Sequence, residues 1–139
     1  MKELTGTATT KDWVQVTKGL TMRPKYGNTR CWSELCQREF ASMAERRRGE
    51  DLRMMEMAGT ITNLEYQPQW VLSAKPKVTY TADFRYCEAP GHLPLERIDY
   101  VVVEDVKGVM TDASRVRIAW LKQKYGIIVK VVPAKEVNR

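Results

Sequence analysis

The chain has 139 residues, 43% hydrophobic and 29% charged, a length that suits one ordinary domain and a balance that excludes wholesale disorder. Its 23 Lys and Arg against 17 Asp and Glu give a formal net charge of +6, which suits a polyanionic partner because each neutralised phosphate releases condensed counterions. No run nears the roughly 20 apolar residues of a membrane helix, and the opening MKELTGTATTKDW lacks the apolar core of a signal peptide. A soluble, cytoplasmic protein is therefore expected. Three cysteines without a CxxC pair and a single histidine, His92, argue against a structural zinc site and fit reduced thiols.

In chain order, residues 1–24 read as a polar leader or arm whose alternating Trp13–Thr17 could form an edge strand. The single domain expected over 25–139 opens with a turn signal at Gly27-Asn28 and becomes helix-like after Ser33. From Glu34 to about Ala58 there is no proline and good helix formers dominate, with Phe40, Ala44, Leu52 and Met55 on one face. Gly59 stands where such a helix ends. Three β-branched and aromatic runs follow, 60–72, 77–87 and 98–106, with a loop at 88–92. Thr111 or Asp112 can cap a second helix that runs to Tyr125 and stops at Gly126, and 127–132 reads as a last strand. The order helix, strand, strand, strand, helix, strand predicts an α/β (α+β) fold with a mixed sheet flanked by helices.

The chemistry concentrates in Val101-Val102-Val103-Glu104-Asp105-Val106-Lys107-Gly108. Three valines predict a buried strand, yet it ends in charge. Alternation puts Asp105 and Lys107 on one face and turns Glu104 to the other. Asp83 lies on the 77–87 strand, and pairing of the two strands would bring it to Asp105; Glu45 rides on the long helix. Carboxylates gathered in one place repel unless a cation compensates them, and an all-oxygen set points to Mg²⁺ or Mn²⁺. A lysine beside them can support charge developing on a phosphate. Spacing alone equally allows surface charges where strands end.

Asp83, twenty-one intervening residues, then Asp105-Val106-Lys107 resembles the signature of the PD-(D/E)XK nuclease superfamily, whose restriction-endonuclease-like core has the element order just derived. Lys25–Asn28, Ser42–Arg47, Ala58–Ile61, Leu64–Pro68, Tyr80–Phe84, Val103–Gly108 and Lys124–Ile127, in that order, resemble a family of small phage-encoded proteins known as a domain of unknown function. That family is grouped with endonuclease I-like enzymes and Holliday junction resolvases. The resemblance covers about 25–132. It implies Asp83 and Asp105 as metal ligands, Glu45 as the first-motif acid and third ligand, Lys107 as the catalytic lysine, and the Val106 carbonyl completing the metal shell. Ala82 replaces the nominal proline, and Arg48 and Gly49 interrupt the apolar face of the helix bearing Glu45.

Arg46, Arg47 and Arg48 fan around that helix and read either as contacts to DNA phosphates or as a solvated face. Lys25 and Arg30 precede it and could clamp backbone. Arg117, at a position usually basic in the resembling family, and Lys122 are the expected phosphate contacts of the second helix. The four tryptophans, and the methionines at 43, 54, 55 and 57, read as core or oligomer contacts. Gln67 reads as a hydrogen-bonding partner of backbone, and His92 as a loop residue. The resemblance implies a Mg²⁺-dependent endodeoxyribonuclease, with Mn²⁺ able to substitute, acting on branched DNA in a phage-infected bacterial cell as a homodimer. A basic DNA-binding protein that keeps the fold without the activity is the alternative.

Overall fold

The computed structural model describes residues 29–88 and 100–137. Lys25, Trp13–Thr17, His92 and most of the 88–92 loop lie outside them. The helix expected from Glu34 begins later, because the chain first makes a hairpin of β1 (Cys31–Ser33) and β2 (Arg38–Phe40). Ser33 is the reason. Its buried hydroxyl accepts the Cys36 N–H at 3.1 Å and donates to Glu50 at 2.7 Å, closing the turn onto the helix. Gln37 takes φ 54° inside that turn.

The first helix, α1 (Met43–Met57), starts where Ser42 accepts the Glu45 N–H at 3.1 Å. Ser-x-x-Glu is a helix-start signature, and it fixes Glu45 in the first turn. Ala44, Gly49 and Leu52 are the buried residues of α1. A Cβ on Gly49 would come within 2.6 Å of Phe40 Cζ and 3.3 Å of Phe84 Cε1. Gly49 therefore marks the closest packing of α1 rather than an interruption of its apolar face.

Two of the expected strands are each broken once. The first becomes β3 (Ile61–Tyr66) and β4 (Gln69–Ser73), the second β5 (Val78–Thr81) and β6 (Phe84–Glu88). Both breaks lie side by side. Gln67, at φ 54°, donates its N–H to the Asp83 carbonyl at 2.9 Å, and Ala82 donates to the Pro68 carbonyl at 3.0 Å. Then follow β7 (Val101–Lys107), α2 (Asp112–Tyr125), β8 (Val129–Pro133) and a short α3 (Ala134–Val137). Thr111 caps α2 through the Ser114 N–H at 3.1 Å, and Gly126 ends it at φ 72°.

The four-stranded sheet has the order β3-β6-β7-β8. β3–β6 and β6–β7 are antiparallel, whereas β7–β8 is parallel, with α2 in the crossover. The fold is thus mixed α/β with a mixed sheet. Phe84, Tyr86 and Val106 pack with Ala44 and Leu52 of α1 on one side; Val103 and Val129 pack with Leu121 of α2 and Tyr80 on the other. The three cysteines are half-buried and unbonded. No helix among the described residues is long and apolar enough to cross a membrane.

Candidate active site

β7 lies between β6 and β8, so its central residues, Val103–Val106, are buried whatever their chemistry. Glu104 is 0% exposed and Asp105 2%. A buried carboxylate is tolerated only with partners, and the two acids find different ones.

Asp105 faces the kink between β5 and β6. The Asp83 N–H donates to the Glu104 carbonyl at 3.0 Å, which seats the kink against β7. The Asp83 carboxylate in turn accepts the Val106 N–H at 2.7 Å, and the Asp83 and Asp105 carboxyls hydrogen-bond each other. Oδ2 of Asp105 also accepts the Tyr80 hydroxyl and lies 3.2 Å from Lys107 Nζ. Glu45 completes the group from the start of α1, close enough for its charge to act on both aspartates.

The electrostatics report that crowding. Burial, then the charges of Asp105 and Glu45, push the Asp83 carboxyl up to about 8 against the favourable Val106 N–H. Burial also raises Glu45, as does Asp105, while Lys107 and the Ala41 and Ser42 hydrogen bonds oppose. Three carboxyls and one ammonium thus share one end of the sheet. As arranged here, a proton kept on Asp83 relieves part of the repulsion. No group of three or more His, Cys, Asp or Glu among the described residues is set at metal-holding geometry. The donor chemistry nevertheless fits a hard divalent cation: every donor is an oxygen, no His or Cys belongs to the set, and like charges compete for compensation.

Glu104 points to the opposite face, as alternation predicts. Arg48 grips it through Nε at 2.8 Å and Nη2 at 2.7 Å, and the Tyr86 hydroxyl donates to the same carboxylate. Burial alone would raise the Glu104 carboxyl, but these partners hold it below the usual range. Arg48, expected either as a DNA contact or on a solvated face, thus has its guanidinium engaged by a buried acid, and withdrawing it would strand that charge.

The other expected phosphate contacts are dispersed. Arg46 pairs with Glu50 at 3.1 Å along α1, and Arg30 with Glu39 at 3.0 Å. Arg47, Arg117 and Lys122 are exposed. Of the remaining basic residues of α2, Arg115 pairs with Asp112, and Lys124 donates to the Leu72 carbonyl at 3.1 Å. Trp70 and Trp120 pack against the core, whereas Trp32 is half-exposed. Met43, Met54 and Met57 stand exposed while Met55 packs against the core. Gln67 meets the backbone through its own N–H.

Sequence reasoning missed Tyr80 and Tyr86. The available signal was their spacing: each sits on a strand flanking Asp83, where a buried phenol needs an acceptor.

No curated protein and no solved structure matches this chain. Residues 23–135 match the family described as protein of unknown function (DUF1064), a span that encloses the acids, the lysine and both tyrosines. With most of its length inside that match, the chain belongs to the DUF1064 family.

Proposed function

We propose that this protein is a Mg²⁺-dependent endodeoxyribonuclease of the PD-(D/E)XK type, with a restriction-endonuclease-like core, that cuts branched DNA in phage DNA metabolism. One observation carries the reading: Glu45, Asp83, Asp105 and Lys107, scattered over 63 positions of sequence, meet at one end of the sheet. Gathering three carboxyls at one point costs the fold stability, since without a cation the repulsion is relieved by keeping a proton on Asp83. The order of α1, the kinked β3–β6 ribbon, β7, α2 and β8 further supports the reading.

In this reading Asp83 and Asp105 hold the cation and Glu45 assists. Bound there, Mg²⁺ would supply charge neutralisation at the phosphate and activate water. Lys107, with its side chain 27% exposed, presents a positive charge to solvent where an attacking water and a phosphodiester can both reach it. Its ammonium orients the water and stabilises charge gathering on the phosphate oxygens. Arg47, Arg117 and Lys122 supply exposed charge for the backbone. Cutting two strands needs two sites, and a homodimer provides them.

The test is incubation with a labelled four-way junction and a matched linear duplex, in Mg²⁺, Mn²⁺ or EDTA, beside Lys107→Ala. Metal-dependent cutting by the intact protein, lost in the variant, is expected. Preserved binding without cutting in either metal overturns the catalytic reading and leaves a basic DNA-binding protein.

A further inference from the structure

Asp105 Oδ2 carries two donors, and only one of them belongs to the catalytic set. The other is the Tyr80 hydroxyl, on a residue 4% exposed and held by its surroundings. The Tyr80 ring stacks on Trp70, with centroids 6.3 Å apart and planes at 27°, and packs in the cluster of Leu72, Val103, Leu121 and Val129. A ring gripped on that scale has one place to put its oxygen. We propose that Tyr80 is a positioning residue, which fixes the orientation in which the Asp105 carboxylate meets a divalent cation and keeps Lys107 from drawing the carboxylate away. The proposal rests on the metal-dependent reading above.

The physical reason lies in competition for one oxygen. Lys107 Nζ reaches Oδ2 at 3.2 Å on a flexible stem. Alone, that ammonium would pull the carboxylate toward itself as a tight ion pair, costing the cation a ligand and the lysine its freedom to meet substrate. A neutral donor on the same oxygen fixes the carboxylate without adding charge, which is how outer partners of ligating carboxylates act.

Tyr80→Phe keeps the ring, its stacking and its volume, and removes only the oxygen. Wild type, Tyr80→Phe and Asp105→Asn are compared by thermal melting, by calorimetric titration with Mn²⁺, and by junction cleavage across Mn²⁺ concentration. Tyr80→Phe is expected to fold and to bind Mn²⁺ about tenfold or more weakly. Its cleavage recovers as Mn²⁺ is raised, a behaviour that a packing defect does not produce. Proton NMR adds a readout independent of metal: a downfield hydroxyl resonance present in wild type and absent from both variants. Mn²⁺ affinity within twofold of wild type in a folded Tyr80→Phe overturns the proposal, as does a missing resonance in wild type. Failure of wild type to bind Mn²⁺ at all overturns instead the metal-dependent reading, and with it the role assigned to Tyr80. In that case the resonance alone still decides whether Tyr80 holds Asp105.

Discussion

Replacing Arg48 with Met would remove the guanidinium while keeping most of the side chain's apolar stem. Glu104 is fully buried, and the Arg48 side chain is itself only 21% exposed, so solvent does little to screen the pair. The variant would leave Glu104 with one neutral donor, Tyr86. The carboxylate then has two choices. It can stay charged without its cation, which costs roughly 3–5 kcal/mol. It can instead take up a proton: from the ordinary value of 4.5, protonation at pH 7 costs about 3.4 kcal/mol, at about 1.36 kcal/mol per pH unit. The cheaper route sets the loss, so Arg48→Met should unfold about 3–4 kcal/mol more easily at pH 7. The sign with pH follows. In wild type the lowered Glu104 contributes stability above about pH 4.5 that is lost as pH falls through its folded value. In the variant the folded value is raised, so its deficit shrinks as pH falls toward 4.5. Urea unfolding at pH 7 and pH 5 checks both statements, and Arg48→Met/Glu104→Gln should recover much of the loss. A deficit below about 1 kcal/mol at pH 7, or one equal at both pH values, would refute the reasoning.

Gly49→Ala should destabilise by about 1–2 kcal/mol in the same assay, because overpacking against the boxed-in ring of Phe40 outweighs the gain of about 1 kcal/mol in helix propensity; a stabilised variant would contradict the close packing. Without divalent metal, stability should fall as pH rises from about 4 to 8, by up to about 1.4 kcal/mol per unit. The cause is that folded Asp83 keeps to about pH 8 a proton that the unfolded chain sheds near 3.8. Asp83→Asn should flatten that profile, and an unchanged slope in the variant would assign it to another group. The same substitution should abolish calorimetric Mg²⁺ and Mn²⁺ binding, whereas Lys107→Ala should retain binding and lose cleavage by 100-fold or more, on the order expected for a removed charge stabiliser.

The C-terminal half of the fold was largely legible. Thr111, Gly126 and the valine run are local signals whose meaning depends little on the rest of the chain, and β7, α2 and β8 formed close to their expected bounds. The first helix was misplaced at its start because Glu34–Phe40 has fair helix propensity, and only the long-range bond from Ser33 to Glu50 reveals the hairpin. Ser42-x-x-Glu45 was a readable start signal that propensity masked. The paired breaks at Gln67 and Ala82–Asp83 exist through each other, so neither strand shows its break alone. Within the site, strand alternation sufficed to separate Asp105 from Glu104. It could not show that Arg48 reaches Glu104 or that Tyr80 reaches Asp105, since both contacts cross from one element to another.

The parallel pairing of β7 with β8 has a consequence for how the protein is made. Glu45, Asp83, Asp105 and Lys107 all leave the ribosome before Val129–Pro133, the strand that covers the far edge of β7. Until that strand arrives, Val103–Lys107 presents unpaired backbone beside the apolar side chains of Val103 and Val106, the kind of edge that recruits other chains. Any lesion that shortens the product upstream of Val129 would therefore yield sticky, aggregating fragments rather than a half-active protein.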